Sequence, residues 1–234
     1  AGCGTGRQPI SFAAAFPNSS ITAIDLSLSS LAYAKRKAEE LGVNNIEFMH
    51  GDILDLPKLN KTFDAIACTG VLHHMKSPEA GLQILVDLLR PSGYMRIGLY
   101  SEIARQEIVT AQKFAKDNGF MPTVKGIRKF RQAFFALPDD DRVKQIPPMM
   151  NELYTTSTVR DLLFHVQEHR YTLPEISRLL EKFNLEFLGF ILRRGVKKSY
   201  LVEHGDDPSA ISLDLWHRYE MEHPKTFLEM YVFW

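Results

Sequence analysis

Six residues at the start of the chain, Ala1-Gly2-Cys3-Gly4-Thr5-Gly6, set glycine at every second position. Glycine reaches backbone angles that a side chain forbids and lets the main chain come close to a ligand, so the run reads as a ligand-wrapping loop. Asp25 falls 19 residues after Gly6, at the end of the alternating stretch 20–25. A carboxylate there can accept two hydrogen bonds from a ribose diol, which suits an adenosine-containing ligand in general, NAD included. Gly51-Asp52-Ile53 sets a carboxylate beside an apolar side chain, suited to the exocyclic amine and the face of an adenine ring. Thr69-Gly70-Val71-Leu72-His73-His74 follows a further apolar stretch and carries two imidazoles. His73 and His74 are candidates for a base by position; the structural alternative is that one caps the next helix and the other packs.

A second pattern points elsewhere. His165-Val166-Gln167-Glu168-His169 matches H-x-x-E-H, in which two histidines one helical turn apart bind zinc and the glutamate activates water. It needs a helix through both histidines, yet Thr172-Leu173-Pro174-Glu175 is a capping box that starts a new element almost at once, and no third ligand is evident. The reading assigns no metal.

These residues need elements to hold them. Over the first hundred residues, strand-like and helix-like patterns alternate with short connections, which predicts βαβ units on a mostly parallel sheet. Helices are expected at 9–16, at 29–41 with Leu28, Leu31, Ala32, Ala38 and Leu41 inward, and after Ser77-Pro78-Glu79 with Leu82, Leu85, Val86 and Leu89 inward. Strands are expected at 20–25, 46–50, 65–69 and, past the turn Pro91-Ser92-Gly93, at 94–100. In such sheets ligands bind outside the carboxyl ends of the strands, where the residues above map.

Residues 101–160 read as a helical insertion. Ile127, Phe130, Phe134 and Leu137 form an apolar stripe, and Lys125, Arg128, Lys129 and Arg131 a basic face best read as solvated surface. Residues 161–234 complete the sheet: a helix through Ile176, Leu179, Leu180 and Phe183, a strand at 185–192, a helix at 208–222, and an apolar end pairing as an antiparallel edge hairpin. The glycine run is of a kind that follows a buried strand, so the chain reads as cut at its start, and within a strand at Trp234.

Twenty-eight basic residues balance twenty-eight acidic ones, so no overall field calls for nucleic acid or an anionic membrane. No apolar run approaches the roughly 20 residues of a membrane-spanning helix. Two cysteines, Cys3 and Cys68, without zinc spacing, fit free thiols in a reducing cytosol, and a cytoplasmic location is expected.

The ordered set AGCGTG, ITAIDLS, FMHGDILDLP, FDAIACTGVLHHM and LLRPSGYMRIGLYS resembles the class I S-adenosylmethionine-dependent methyltransferases from the glycine loop through the fifth strand. The resemblance implies an α/β fold with a doubly wound, mostly parallel, Rossmann-like sheet, and S-adenosylmethionine as cofactor. It implies that Gly2, Cys3, Gly4 and Gly6 line the methionine part, that Asp25 and Leu26 hold the ribose side, and that Asp52 and Ile53 hold the adenine. Cys68, Thr69 and Gly70 would border the sulfonium. The stretch from Ser157 through Ile176, with Trp216, Pro224, Phe227 and the terminal Met230-Tyr231-Val232-Phe233-Trp234, resembles bacterial methyltransferase modules that follow tetratricopeptide repeats, implying such repeats in a missing N-terminal part.

The acceptor expected is a small molecule, a peptide or a glycan-linked group, with no nucleic acid and no membrane as partner. Two alternatives stand beside this. A nicotinamide-dependent oxidoreductase would carry G-x-G-x-x-G, whereas residues 7–10 hold no further glycine. A non-catalytic module could keep the fold and act through a partner.

Overall fold

The computed structural model describes residues 1–145, 153–165 and 167–234. They form two compact units, one of residues 1–99, 180–191 and 232–234, the other of residues 100–179 and 192–231.

In the first unit, α1 (Arg7–Ala15) opens directly from Gly6, whose φ of 84° turns the loop into the helix. β1 (Ile21–Asp25) leads to α2 (Leu28–Glu40), where the Ser27 hydroxyl caps the first turn by accepting from the Ser30 N–H at 3.2 Å. The buried stripe of α2 is Leu31, Ala34 and Ala38. This corrects the expected face. Leu28 and Leu41 flank the ends of the helix and are 65% and 67% exposed, and Ala32 also faces solvent. Ala34 takes the inner place because α2 passes close to the glycine loop, where only a small side chain fits.

β2 (Ile46–His50) pairs parallel with β1, from Ile21↔Ile46 to Asp25↔His50, so Asp25 and His50 end the two strands side by side. A 3-10 turn (Ile53–Leu59) follows, then β3 (Phe63–Thr69) and α3 (Pro78–Leu88), capped by Ser77 at 3.3 Å from the Ala80 N–H. Leu82 and Leu85 are buried on α3 as expected, with Leu88 completing the face in place of Leu89. β4 (Leu89–Ser101) runs parallel to β3 and starts five residues before the expected position. The Pro91-Ser92-Gly93 signal is a bulge: the ladder passes from Phe63↔Leu89 to Ala65↔Tyr94, and Ser92 takes a φ of 61°.

Residues 1–3 lie between the two strand pairs. The Ala1 amine donates to the Ala67 carbonyl at 2.7 Å, and the Cys3 N–H donates to the Ile24 carbonyl at 2.9 Å. The glycine loop therefore emerges at the carboxyl ends of both β1 and β3. At the far end of the chain, residues 188–191 pair antiparallel with 232–234 through Leu188 N–H to Trp234 O, Trp234 N–H to Gly189 O and Ile191 N–H to Val232 O. The expected strand at 185–192 is thus reduced to this edge contact, which Phe187, Phe190 and Phe233 cover with rings 4.9 to 6.0 Å apart. Gly189, at φ 128°, interrupts any longer ladder.

The second unit carries the end of β4 and α4 (Gln106–Asp117), α5 (Val124–Ala136) and α6 (Thr156–Phe164). Their shared core centres on Ile127, Phe130 and Phe134, all fully buried, and Lys125, Arg128 and Lys129 face solvent as the periodicity predicts. Phe130 meets the rings of Phe114, Phe120, Phe134 and Phe164 within 6.3 Å. Phe130→Ala is expected to destabilise the chain by about 3–5 kcal/mol, read from denaturant unfolding; a loss below about 1 kcal/mol would contradict this packing. β5 (Arg170–Tyr171) pairs parallel with the tip of β4, and α7 (Leu173–Lys182) begins at the capping box, where Glu175 accepts from the Thr172 N–H at 2.7 Å. α8 (Val196–Glu203) has no expected counterpart, α9 (Leu213–Glu222) is shorter than expected, and β6 (Tyr231–Phe233) pairs with β4. Tyr200 of α8 stacks on Trp216 of α9 at 3.7 Å and 12°, and its hydroxyl donates to Asp207 at 2.6 Å. Among the described residues no helix is long and apolar enough to cross a membrane.

Candidate cofactor site

The three loop glycines are required for different reasons. A Cβ on Gly2 (φ 67°) would sit 2.1 Å from Val71 Cγ2, and one on Gly6 (φ 84°) 2.5 Å from the Ala34 Cβ. Their missing side chains make room for protein. Gly4 (φ 51°) would meet nothing within 4 Å. The open ground beside the loop is over Gly4.

Asp25 ties this loop to the following helix. Its Oδ2 accepts from the Gly4 N–H at 2.6 Å and its Oδ1 from the Ser27 N–H at 2.8 Å. Each oxygen keeps a further lone pair, because a carboxylate offers about four acceptor sites. Leu26 beside it is 66% exposed, and the Leu26 carbonyl lies 3.0 Å from His50 Nε2. Just past the neighbouring strand, Asp52 Oδ1 accepts from the Leu54 N–H at 3.0 Å and starts the 3-10 turn, while the Ile53 side chain is buried in the core.

Cys3 lies within the loop. Burial, followed by the charge of Asp25, pushes its thiol up to about 11. A raised thiol stays protonated through pH 7–9, and the thiolate is the reactive form. Alkylation of Cys3 by iodoacetamide at pH 8.5 is therefore expected to run about 100-fold slower than at a free thiol and to climb towards pH 11. Fast labelling near pH 8, followed by peptide mass spectrometry, would contradict the environment described.

β3 ends in Cys68, fully buried with its thiol pushed up by burial, and Thr69, whose buried Oγ1 has no hydrogen-bond partner among the described residues. Gly70 turns away at φ 78°. His73 and His74 follow in a 3-10 turn with ring centroids 4.3 Å apart. His73 is fully buried and His74 half-buried, and it is Ser77 that caps α3.

The second unit holds His165, Glu168 and His169 of the H-x-x-E-H pattern. Arg105 donates from Nε and Nη2 to the two oxygens of Glu168 at 3.0 and 2.7 Å and lies 3.5 Å over the Tyr100 ring. Arg170 joins Glu168 at 3.7 Å to Glu102 at 2.7 Å, so four charges alternate in sign around the β4–β5 pair. Glu168 therefore serves an arginine, and α6 ends at Phe164 with His165 extended at ψ 131°. The H-x-x-E-H pattern has no helix through both histidines. Sequence reasoning missed a buried trio: Ser101 and Tyr231 donate to the two oxygens of Glu220, each at 2.5 Å, and burial pushes the Glu220 carboxyl up. Positions so far apart in the chain leave no local signal.

Parallel strands, a glycine loop at their carboxyl ends and an acid closing the next strand define a Rossmann-like nucleotide-binding domain. Residues 1–93 match the family model of a methyltransferase domain. These residues form a class I S-adenosylmethionine-dependent methyltransferase domain. The chain is 33% identical over 232 residues to an uncharacterized protein of Synechococcus, covering 94% of this chain and 55% of that protein. It is 26% identical over 188 residues to the demethylmenaquinone methyltransferase of Bacillus cytotoxicus, covering 79% of this chain and 67% of that protein. In fold it is similar to PKMT2 from Rickettsia typhi in complex with AdoHcy, with a TM-score of 0.72 at 18% identity, covering 99% of this chain and 47% of that one. The chain thus spans about half the length of the Synechococcus and Rickettsia proteins.

Proposed function

We propose that this chain binds S-adenosylmethionine in its first unit and promotes transfer of the methyl group to a nucleophile on a small molecule, a peptide or a glycan-linked acceptor. The observation that carries the reading is the pairing of Gly4, bare on its open side, with Asp25, whose carboxylate is fixed by two backbone N–H groups and has lone pairs to spare. A ribose diol can donate to those lone pairs without any rearrangement of the acid. Leu26, exposed beside Asp25, offers an apolar face, and the second oxygen of Asp52 offers an acceptor for an exocyclic amine. The Thr69 hydroxyl, without a hydrogen-bond partner among the described residues, supplies a polar group at the end of β3, next to Gly70. These residues fit an adenosine ligand carrying a methionine tail.

When bound, the cofactor supplies an electrophilic methyl on a sulfonium, already a good leaving group. The protein's work is then alignment and exclusion of water, which together lower the entropy cost of bringing two reactants into line. A neutral amine or hydroxyl must also lose a proton, and His74, half-buried in the 3-10 turn that follows β3, is the side chain we assign to receive it. His73 beside it is enclosed and holds the His74 ring edge to face.

Thermal unfolding with S-adenosylhomocysteine, with NAD as control, tests the reading. At about 100 times the dissociation constant, binding stabilises by roughly 2.7 kcal/mol, a shift of several degrees for a chain of this size. A shift with S-adenosylhomocysteine alone supports it. A shift with NAD alone makes the site an oxidoreductase's, and no shift with either removes the cofactor from the proposal.

A further inference from the structure

α8 and α9 end in the same way. Tyr200-Leu201-Val202-Glu203-His204 closes the first helix and Tyr219-Glu220-Met221-Glu222-His223 the second, a Tyr-x-x-Glu-His ending used twice. In both, the histidine is the C-cap and leaves helical geometry, at φ −126° and ψ 60° for His204 and φ −123° and ψ 67° for His223. In both, its N–H donates to the tyrosine carbonyl at 2.8 Å, and its ring lies against the tyrosine ring, at 5.0 Å and 4.3 Å.

The caps bring the two endings together. At the end of α9 the His223 backbone has left helical geometry. The His223 Nε2 comes to 3.0 and 3.1 Å from the two oxygens of Glu203 at the end of α8. A donor atom of Glu222 joins them, so one nitrogen and two carboxylate oxygens lie within 4.8 Å of one another.

The electrostatics of the spot favour a cation. Each helix carries a partial negative charge at its carboxyl end, and here two such ends are joined by two carboxylates. Among the described residues, neither Glu203 nor Glu222 pairs with a lysine or arginine. An imidazole nitrogen with carboxylate oxygens is a borderline donor set that suits zinc, cobalt or manganese, whereas magnesium prefers oxygen alone and keeps its waters.

We propose that Glu203, Glu222 and His223 form a site for a divalent transition-metal ion that fastens the end of α8 to the end of α9. Three protein ligands leave the remaining positions to water. The proposal is independent of the methyl-transfer reading, since no residue of the candidate cofactor site takes part.

The test is titration of the full chain, stripped with a chelator and desalted, with Zn²⁺ and separately with Mg²⁺, followed by calorimetry. One equivalent of Zn²⁺ is expected to bind, with no comparable response to Mg²⁺. His223→Gln, Glu203→Gln and Glu222→Gln are each expected to weaken binding about tenfold or more, since each removes one of three ligands. His204→Gln, at the matching position of the other helix, is expected to leave it unchanged. These side chains lie at the surface, and far-UV circular dichroism verifies that each variant is folded. Binding that survives His223→Gln, or falls equally in His204→Gln, overturns the proposal, as does the absence of Zn²⁺ binding in the starting chain.

Discussion

Asp25→Asn is expected to weaken S-adenosylhomocysteine binding by about 100-fold, which corresponds to roughly 2.7 kcal/mol. The substitution keeps the shape of the side chain and removes its negative charge and its ability to accept at both oxygens. In the native chain one oxygen receives the Gly4 N–H and the other the Ser27 N–H. An amide must turn its NH₂ towards one of them, setting donor against donor, and hydrogen bonds to a charged group are worth about 1.5–3 kcal/mol each. The loop then loses its tether to α2, and the ribose loses an acceptor. His165→Ala, at the end of α6, serves as the control and is expected to leave binding unchanged. Calorimetric titration decides the matter: equal losses in the two variants, or none in Asp25→Asn, would place the cofactor elsewhere.

Much of this site is legible in the sequence because its parts are local. A glycine alternation, a strand ending in an acid and a Gly-Asp step each need only a few neighbouring residues to be recognised. The sequence does not reveal what each glycine faces. Gly2 and Gly6 yield space to Val71 and Ala34, which lie 69 and 28 positions away, and only the folded chain brings them close. The same distance effect hid the inner face of α2: leucines at 28 and 41 follow the helical period but fall at the helix ends, beyond the surface the helix covers. It also hid α8, whose Lys197-Lys198-Ser199 run carries no apolar stripe, and which is held chiefly through the single large ring of Tyr200. Periodicity reports burial only where several residues share the work.

Gly2→Ala and Gly4→Ala are expected to fail in opposite ways. At Gly2 the added methyl meets Val71 Cγ2 at 2.1 Å, and valine has little rotamer freedom with which to give way. Left-handed backbone costs about 1–2 kcal/mol for a residue with a Cβ, and overpacking typically adds about 1–3, so a total near 2–5 kcal/mol of stability is expected to be lost. Val71→Ala in the same chain should recover the overpacking share and leave the backbone share. At Gly4 only the backbone share applies to folding, about 1–2 kcal/mol, because nothing lies within 4 Å. The methyl instead enters the ground assigned to the ligand, and S-adenosylhomocysteine affinity is expected to fall by about 100-fold or more, of the order that a misplaced group costs a close-fitting site. Denaturant unfolding and titration of both variants separate the two effects. A Gly4→Ala chain that binds normally would mean that the ligand approaches from another side.

Trp216 is fully buried, with its indole face 3.7 Å from the Tyr200 ring and its Nε1 donating to the Ala210 carbonyl at 2.9 Å. The chain has only one other tryptophan, Trp234. A buried indole emits at shorter wavelength than one in water, and a ring stacked this closely couples its electronic transitions to its neighbour's. The α8–α9 pair therefore carries its own optical reporter. With Trp234 replaced by phenylalanine, the emission and near-ultraviolet dichroism of this one residue would follow the joining and parting of the two helices without any label.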